Sequence, residues 1–188
     1  MNCFQMVKRI AGCLPFLAGL LWFVPAPLSA ADGLPKVGDK CPDFEMEGTD
    51  GAKYKLSDFV GKKAFIIAWY PRAFTPGCTK ECQSFKDHGE ALRKYSVAYF
   101  TASCDSVAKN KEFAKSLGLD YPILSDPEGK VAKSLGIARE GGVPTASRVT
   151  FIVGKDGKIL AIDDAVKTTS HGQDLAAKLE SLGIEKAK

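Results

Sequence analysis

The chain has 188 residues, 45% of them hydrophobic and 26% charged. This is the balance of one soluble globular domain and excludes disordered and fibrous classes. A formal net charge of +4 is too small to call for nucleic acid or another polyanion as partner.

The first 31 residues stand apart. They hold Lys8 and Arg9, no acidic residue, an apolar run from Ile10 to Val24, and then the small-residue stretch Ser29-Ala30-Ala31 before Asp32. That order predicts a cleaved signal peptide over residues 1–31 and a single domain over residues 32–188. Cleavage after Ala30 fits nearly as well. An uncleaved membrane anchor is the competing reading, but the run has 15 residues and contains Pro15, and a spanning helix needs about 20 apolar residues. Ile10-Ala11-Gly12-Cys13 has the look of a lipoprotein box, yet the apolar run follows it where it should precede it. The protein is therefore expected to be exported, periplasmic or extracellular, with no stable membrane association after cleavage. Cys3 and Cys13 leave with the leader, and Cys41, Cys78, Cys82 and Cys104 remain. Two structural disulfides would be the plain reading of four exported cysteines, but about 155 residues build a core without staples.

Asp32–Lys40 is a Gly- and Pro-containing lead-in. Tyr54–Leu56 reads as a short strand, with Ser57 a helix cap after it. Ala64–Tyr70 (AFIIAWY) is a buried strand, and Thr79–Lys94 has helical spacing. Val97–Ser103 is a second buried strand; Asp105 or Ser106 caps a helix that Gly118 ends. Tyr121–Leu124 is edge-like because of its proline, and Val131–Leu135 makes one or two helical turns. Val149–Val153 and Lys158–Ile162 flank the hairpin turn Lys155-Asp156-Gly157. Asp174–Leu182 is a final amphipathic helix ended by Gly183. Strands alternating with helices argue for α/β layers.

The segment Pro71–Cys78 (PRAFTPGC) joins the first buried strand to a helical pattern starting at Cys78. It sets a thiol at a helix N-terminus, where free N–H groups and the positive dipole end favour a thiolate. Thr75 lies within reach of the sulfur, and Pro71 and Pro76 stiffen the loop. These are the parts of an activated sulfur nucleophile.

Pro71, Thr75 and Cys78 form P-x-x-x-T-x-x-C, which resembles the active-site motif of the peroxiredoxins. The run Tyr70–Asp87 (YPRAFTPGCTKECQSFKD) is similar to the bacterioferritin comigratory, or Q-type, branch. Gly38–Phe44 (GDKCPDF), Tyr121–Gly129 (YPILSDPEG) and Arg148–Ile159 (RVTFIVGKDGKI) resemble three further landmarks in the family's order. The resemblance implies a thioredoxin-like fold, a mixed central sheet with helices on both faces. It implies a thiol-dependent peroxidase for hydrogen peroxide and organic hydroperoxides, acting through a Cys78 sulfenic acid and recycled by a thioredoxin-like donor. On the family's pattern Thr75 touches the sulfur and the peroxide, Arg148 stabilises the thiolate and the leaving oxygen, and Glu81 orients the loop. A monomer is implied, and no metal, haem, flavin or nucleotide cofactor.

Cys82 lies one helical turn after Cys78 on the same face, within disulfide distance but poorly directed without local unwinding. Q-type relatives commonly carry the resolving cysteine one residue later, where this chain has Gln83. Cys82 is favoured as the resolving residue, and Cys104, after the strand Val97–Ser103, is the competitor. Cys41 reads as packing. His88 and His171, the two histidines, fit no zinc spacing with Cys78 and Cys82; His88 reads as part of a solvated helix face. An exported thiol–disulfide oxidoreductase is the alternative function, weakened because such proteins usually show C-x-x-C where this chain has C-x-x-x-C. A non-catalytic binding module is opposed by the intact Pro, Thr, Cys and Arg set.

Overall fold

The computed structural model describes residues 33–187. The segment read as a signal peptide, its cleavage site, and Cys3 and Cys13 lie outside the described residues. Among the described residues no helix is long and apolar enough to cross a membrane.

The most apolar strands lie at the centre. β3 (Ala64–Trp69) is buried along its whole length and β4 (Val97–Ser103) from Tyr99 onward. A strand with no polar side must be covered on both faces, and parallel pairing with crossover helices provides that cover. β3 and β4 pair in parallel, and β5 (Ile123–Ser125) continues in parallel beyond β4. β6 (Val149–Val153) runs antiparallel along the other side of β3, with Val149 opposite Trp69. β7 (Ile159–Asp163) returns against β6 across a turn in which Gly157 has φ +79°, a left-handed conformation suited to glycine. β1 (Glu45–Gly48) and β2 (Lys53–Lys55) form a hairpin whose first strand joins β5. The mixed sheet has the order β2-β1-β5-β4-β3-β6-β7, the thioredoxin-like arrangement expected.

Several boundaries differ from the sequence expectation. Tyr121–Leu124 is not an edge: β5 lies between β1 and β4, and Pro122 is tolerated because the ladder begins one residue later. Ser57 caps no helix; it lies inside a short 3₁₀ turn over Leu56–Asp58, and its N–H is bound by Asp43 at 3.0 Å. The helix expected over Thr79–Lys94 is two helices, α1 (Pro76–Asp87) and α2 (Gly89–Arg93), divided at His88, which leaves helical geometry at φ −108°, ψ 10°. A glycine directly after it weakens helix continuation. α3 (Val107–Leu117) has the expected caps: the Ser106 hydroxyl accepts from the Lys109 N–H at 3.3 Å, and Gly118 closes it in the left-handed region. α4 (Lys130–Ser134) is short, and α5 (His171–Ser181) begins three residues before the expected Asp174.

Strand alternation divides the core. Phe65, Ile67 and Trp69 of β3 point to one face, where they meet Phe100, Leu124, Phe151 and Ala132 of α4. Ile66 and Ala68 point to the other and meet Phe85 of α1, Leu92 of α2 and Leu175 and Leu179 of α5. A third cluster on this second face gathers Tyr70, Ala73, Cys78, Cys82, Ile123 and Phe113 of α3. Helices thus cover both faces, with most of them on the face that carries Cys78.

Candidate active site

Helix α1 starts two residues earlier than the pattern suggested. Pro76 occupies its first position, where a fixed φ is already helical and the missing N–H removes no hydrogen bond. Cys78 is therefore the third residue of the helix, inside the first turn, where backbone N–H groups have no intrahelical acceptor. Its side chain is 1% exposed.

The loop from β3 to α1 is held from several sides. The Tyr70 hydroxyl donates to Asn110 Oδ1 at 2.8 Å, and the Ala73 N–H donates to Asp105 Oδ2 at 2.7 Å. Pro71, half-buried, begins the turn. Phe74 has φ +64°, unusual for an aromatic residue, and its ring packs on Phe113 at 5.0 Å. No glycine marks this position, so nothing in the residues of the loop singles out Phe74 for a left-handed conformation. Thr75 caps α1 with its carbonyl, which accepts from the Thr79 N–H at 2.9 Å, and its hydroxyl donates to the Arg72 carbonyl at 3.0 Å.

Arg148 directly precedes β6. The antiparallel pairing of β6 with β3 brings the start of one to the end of the other, so Arg148 reaches the loop that follows β3. Its Nη2 donates to Cys78 Sγ at 3.2 Å, a charge-assisted hydrogen bond suited to a thiolate acceptor. Its Nη1 is ion-paired with Glu81 Oε2. Glu81 is fully buried, one turn along α1 from Cys78, whereas the Arg148 side chain is 22% exposed. A buried carboxylate persists only when paired, and this pair fixes the guanidinium toward the sulfur.

His171, at the start of α5, lies behind Glu81. The sequence raises it only as a metal ligand, because a lone histidine at a helix start carries no signal for this placement. Its Nδ1 is 3.0 Å from Glu81 Oε1, and its Nε2 is 3.1 Å from Thr150 Oγ1. Burial pushes its pKa down to about 4; Asp163 and Asp174 oppose the shift, and Arg148 adds to it. His88 is partly buried and approaches the Ser84 carbonyl through Nδ1 at 2.9 Å, so it is more than a solvated face. Among the described residues no group of three His, Cys, Asp or Glu side chains could hold a metal.

All four described cysteines are buried free thiols. Cys82 shares the Cys78 cluster and lies 4.0 Å from Thr101 Oγ1, and burial pushes its pKa up to about 12. Cys104 and Cys41 belong instead to the cluster on the opposite sheet face. Burial raises both to about 12, with nearby aspartates adding to it. A cleft of about 320 Å³ lined by Lys63, Ser96, Gly154 and Glu185 lies at the other end of β3, away from this sulfur.

A model of the AhpC/TSA family matches residues 37–162. The Escherichia coli protein named peroxiredoxin Bcp is 32% identical over 141 residues, spanning 72% of this chain and 90% of its own length. The crystal structure of peroxidoxin BcpB from Mycobacterium tuberculosis superposes with a TM-score of 0.71 at 32% identity, covering 78% of this chain and 97% of that one. The bacterioferritin comigratory protein of Xanthomonas campestris superposes with a TM-score of 0.68, covering 73% of this chain and 90% of that one. At 23% identity this last likeness is one of fold.

Proposed function

We propose, for a chain that belongs to the AhpC/TSA family and within it to the Q-type, bacterioferritin comigratory branch, that Cys78 is the peroxidatic nucleophile and Arg148 its electrostatic partner. The protein is a thiol-dependent peroxidase. The observation that carries the assignment is the 3.2 Å contact of Arg148 Nη2 with a sulfur in the first turn of a helix.

The Cys78 thiolate attacks one peroxide oxygen. An S–O bond forms as the O–O bond breaks, the sulfur gives up two electrons, and hydroxide or alkoxide leaves and takes a proton from water. Arg148 bears on both the thiolate and the negative charge growing on the leaving oxygen. The Thr75 hydroxyl has its proton engaged by the Arg72 carbonyl. It offers only lone pairs, which suit acceptance from the peroxide O–H. The Cys82 thiol then condenses with the sulfenic acid, forming a disulfide and releasing water. A thioredoxin-like dithiol returns both cysteines by exchange.

Hydrogen peroxide and organic hydroperoxides are the substrates in this reading; the Xanthomonas protein's structures concern alkyl peroxide reduction. Cys78, Arg148, Glu81 and Thr75 come from one chain, which supports action as a monomer. The basic, apolar and small-residue order of residues 1–31 supports export. Stopped-flow peroxide consumption by the purified protein, with and without thioredoxin and its reductase, tests the function. Steady turnover should need the thioredoxin system, and no consumption in either case would refute the reading.

A further inference from the structure

Two buried polar atoms behind Arg148, Glu81 Oε1 and His171 Nδ1, have no hydrogen-bond partner although they lie 3.0 Å apart. Orphaned polar atoms in a dry core are costly and call for an explanation. The protonation state of the imidazole supplies one. If Nε2 carried the proton, the Nδ1 lone pair would face the carboxylate and both atoms would stay unsatisfied. If Nδ1 carries it, the proton stands against Glu81 Oε1 in a 3.0 Å contact that a small turn of the ring or the carboxylate completes, and Nε2 accepts from the Thr150 hydroxyl at 3.1 Å.

The backbone holds the ring to this place. The Gly172 N–H donates to Ser84 Oγ at 3.0 Å, and a Cβ on Gly172 would stand 2.3 Å from the Ser84 carbonyl oxygen. Only glycine lets α5 approach α1 so closely. The Phe85 ring then meets the imidazole edge-on, with centroids 5.0 Å apart.

We propose that His171, as its Nδ1–H tautomer, is a positioning residue for peroxide reduction: it holds Glu81, and through Glu81 it holds Arg148 on the Cys78 sulfur. His171 touches neither sulfur nor peroxide. Its effect is to fix the carboxylate that receives Nη1, so that Nη2 stays aimed at Cys78. The inference rests on Cys78 as the peroxidatic residue, and wild-type protein against Cys78→Ser in the same assay tests that separately.

Asparagine places an amide N–H near the imidazole Nδ1 position, glutamine near Nε2, and leucine places neither. The rate constant for oxidation of the reduced protein by hydrogen peroxide should fall on the order of tenfold in His171→Leu, the lower end for loss of an outer-shell partner. It should recover in His171→Asn but not in His171→Gln. In an Arg148→Ala background, His171→Leu should cause no further loss, because the relay has lost its end. Long-range ¹H–¹⁵N spectra of the unsubstituted protein, with His88 assigned by substitution, should show His171 protonated at Nδ1; this readout needs no variant to fold. An Nε2–H tautomer, equal rates for Asn and Gln, a wild-type rate in His171→Leu, or additive losses with Arg148→Ala would each overturn the proposal.

Discussion

Cys78 and Cys104 lie on opposite faces of the central sheet: Cys78 packs with Phe113 and Ile123 beneath α1 and α3, Cys104 with Trp69 and Leu124 on the other side. Both residues follow neighbouring parallel strands, so both emerge at the same end of the sheet. Cys104 continues the alternation of Phe100 and Ala102 onto one face, whereas α1 carries Cys78 onto the other. Cys82 shares the cluster of Cys78, one turn along the same helix. A disulfide between these two needs α1 to unwind locally, which also frees the Cys82 thiol from the burial that raises its pKa to about 12. One equivalent of peroxide should yield a Cys78–Cys82 disulfide. Cys82→Ser should react at the first step normally, then accumulate sulfenic acid and over-oxidise. Peptide mapping checks this, and a Cys78–Cys104 cross-link would give the resolving role to Cys104.

Arg148→Ala should slow the peroxide step by about 10²–10³, the usual loss for one preorganised donor to developing charge. Reduction of the oxidised protein by thioredoxin should change far less, since the guanidinium acts on the thiolate and the leaving oxygen. Rapid-mixing measurement of the two half-reactions separates the effects. An unchanged peroxide rate in a folded variant would make Arg148 a bystander.

His171 makes stability fall with acid. Its ordinary pKa of 6.5 drops to about 4 in the folded chain, by burial, with Asp163 and Asp174 opposing and Arg148 assisting. Above pH 6.5 it is neutral in both states and the folded state keeps its full advantage. As pH falls from there toward 4, the unfolded chain takes up a proton that the folded one refuses, so stability is lost. The whole effect is about 3 kcal/mol, and about 2 kcal/mol of it should be gone at pH 5. Urea unfolding at pH 7 and pH 5 measures it. His171→Asn, with nothing to titrate, should lose that much less stability over the interval, and parallel losses in the two proteins would contradict the assignment.

Much of this was legible in residues. AFIIAWY running into PRAFTPGC marked a buried strand and a thiol at a helix start, and Ser106 and Gly118 marked both ends of α3. Arg148 came only through the family resemblance, since a lone arginine before a strand has no pattern of its own. The sequence did not show β5 as an interior strand, because a three-residue run after a proline looks like an edge and its neighbours are set by tertiary pairing. Nor did it show the Glu81–His171 contact, which joins positions 90 residues apart through the docking of α5 on α1 at Gly172.

If the export proposed above holds, the mature chain should begin at Ala31 or Asp32, after the small residues that follow the apolar run. Intact-mass measurement on protein from the native envelope reads this directly, and a chain that still begins at Met1 would indicate an anchor.

Single-turnover oxidation tests the role of the Cys78 sulfur most directly. Fully reduced protein is mixed with one equivalent of hydrogen peroxide, and peroxide loss is followed beside the mass of the Cys78 peptide. Wild-type protein should consume the peroxide with oxidation at Cys78, and Cys78→Ser should consume none above the buffer rate, because a serine hydroxyl is not ionised at neutral pH. Peroxide consumption by Cys78→Ser at the wild-type rate would contradict Cys78 as the nucleophile.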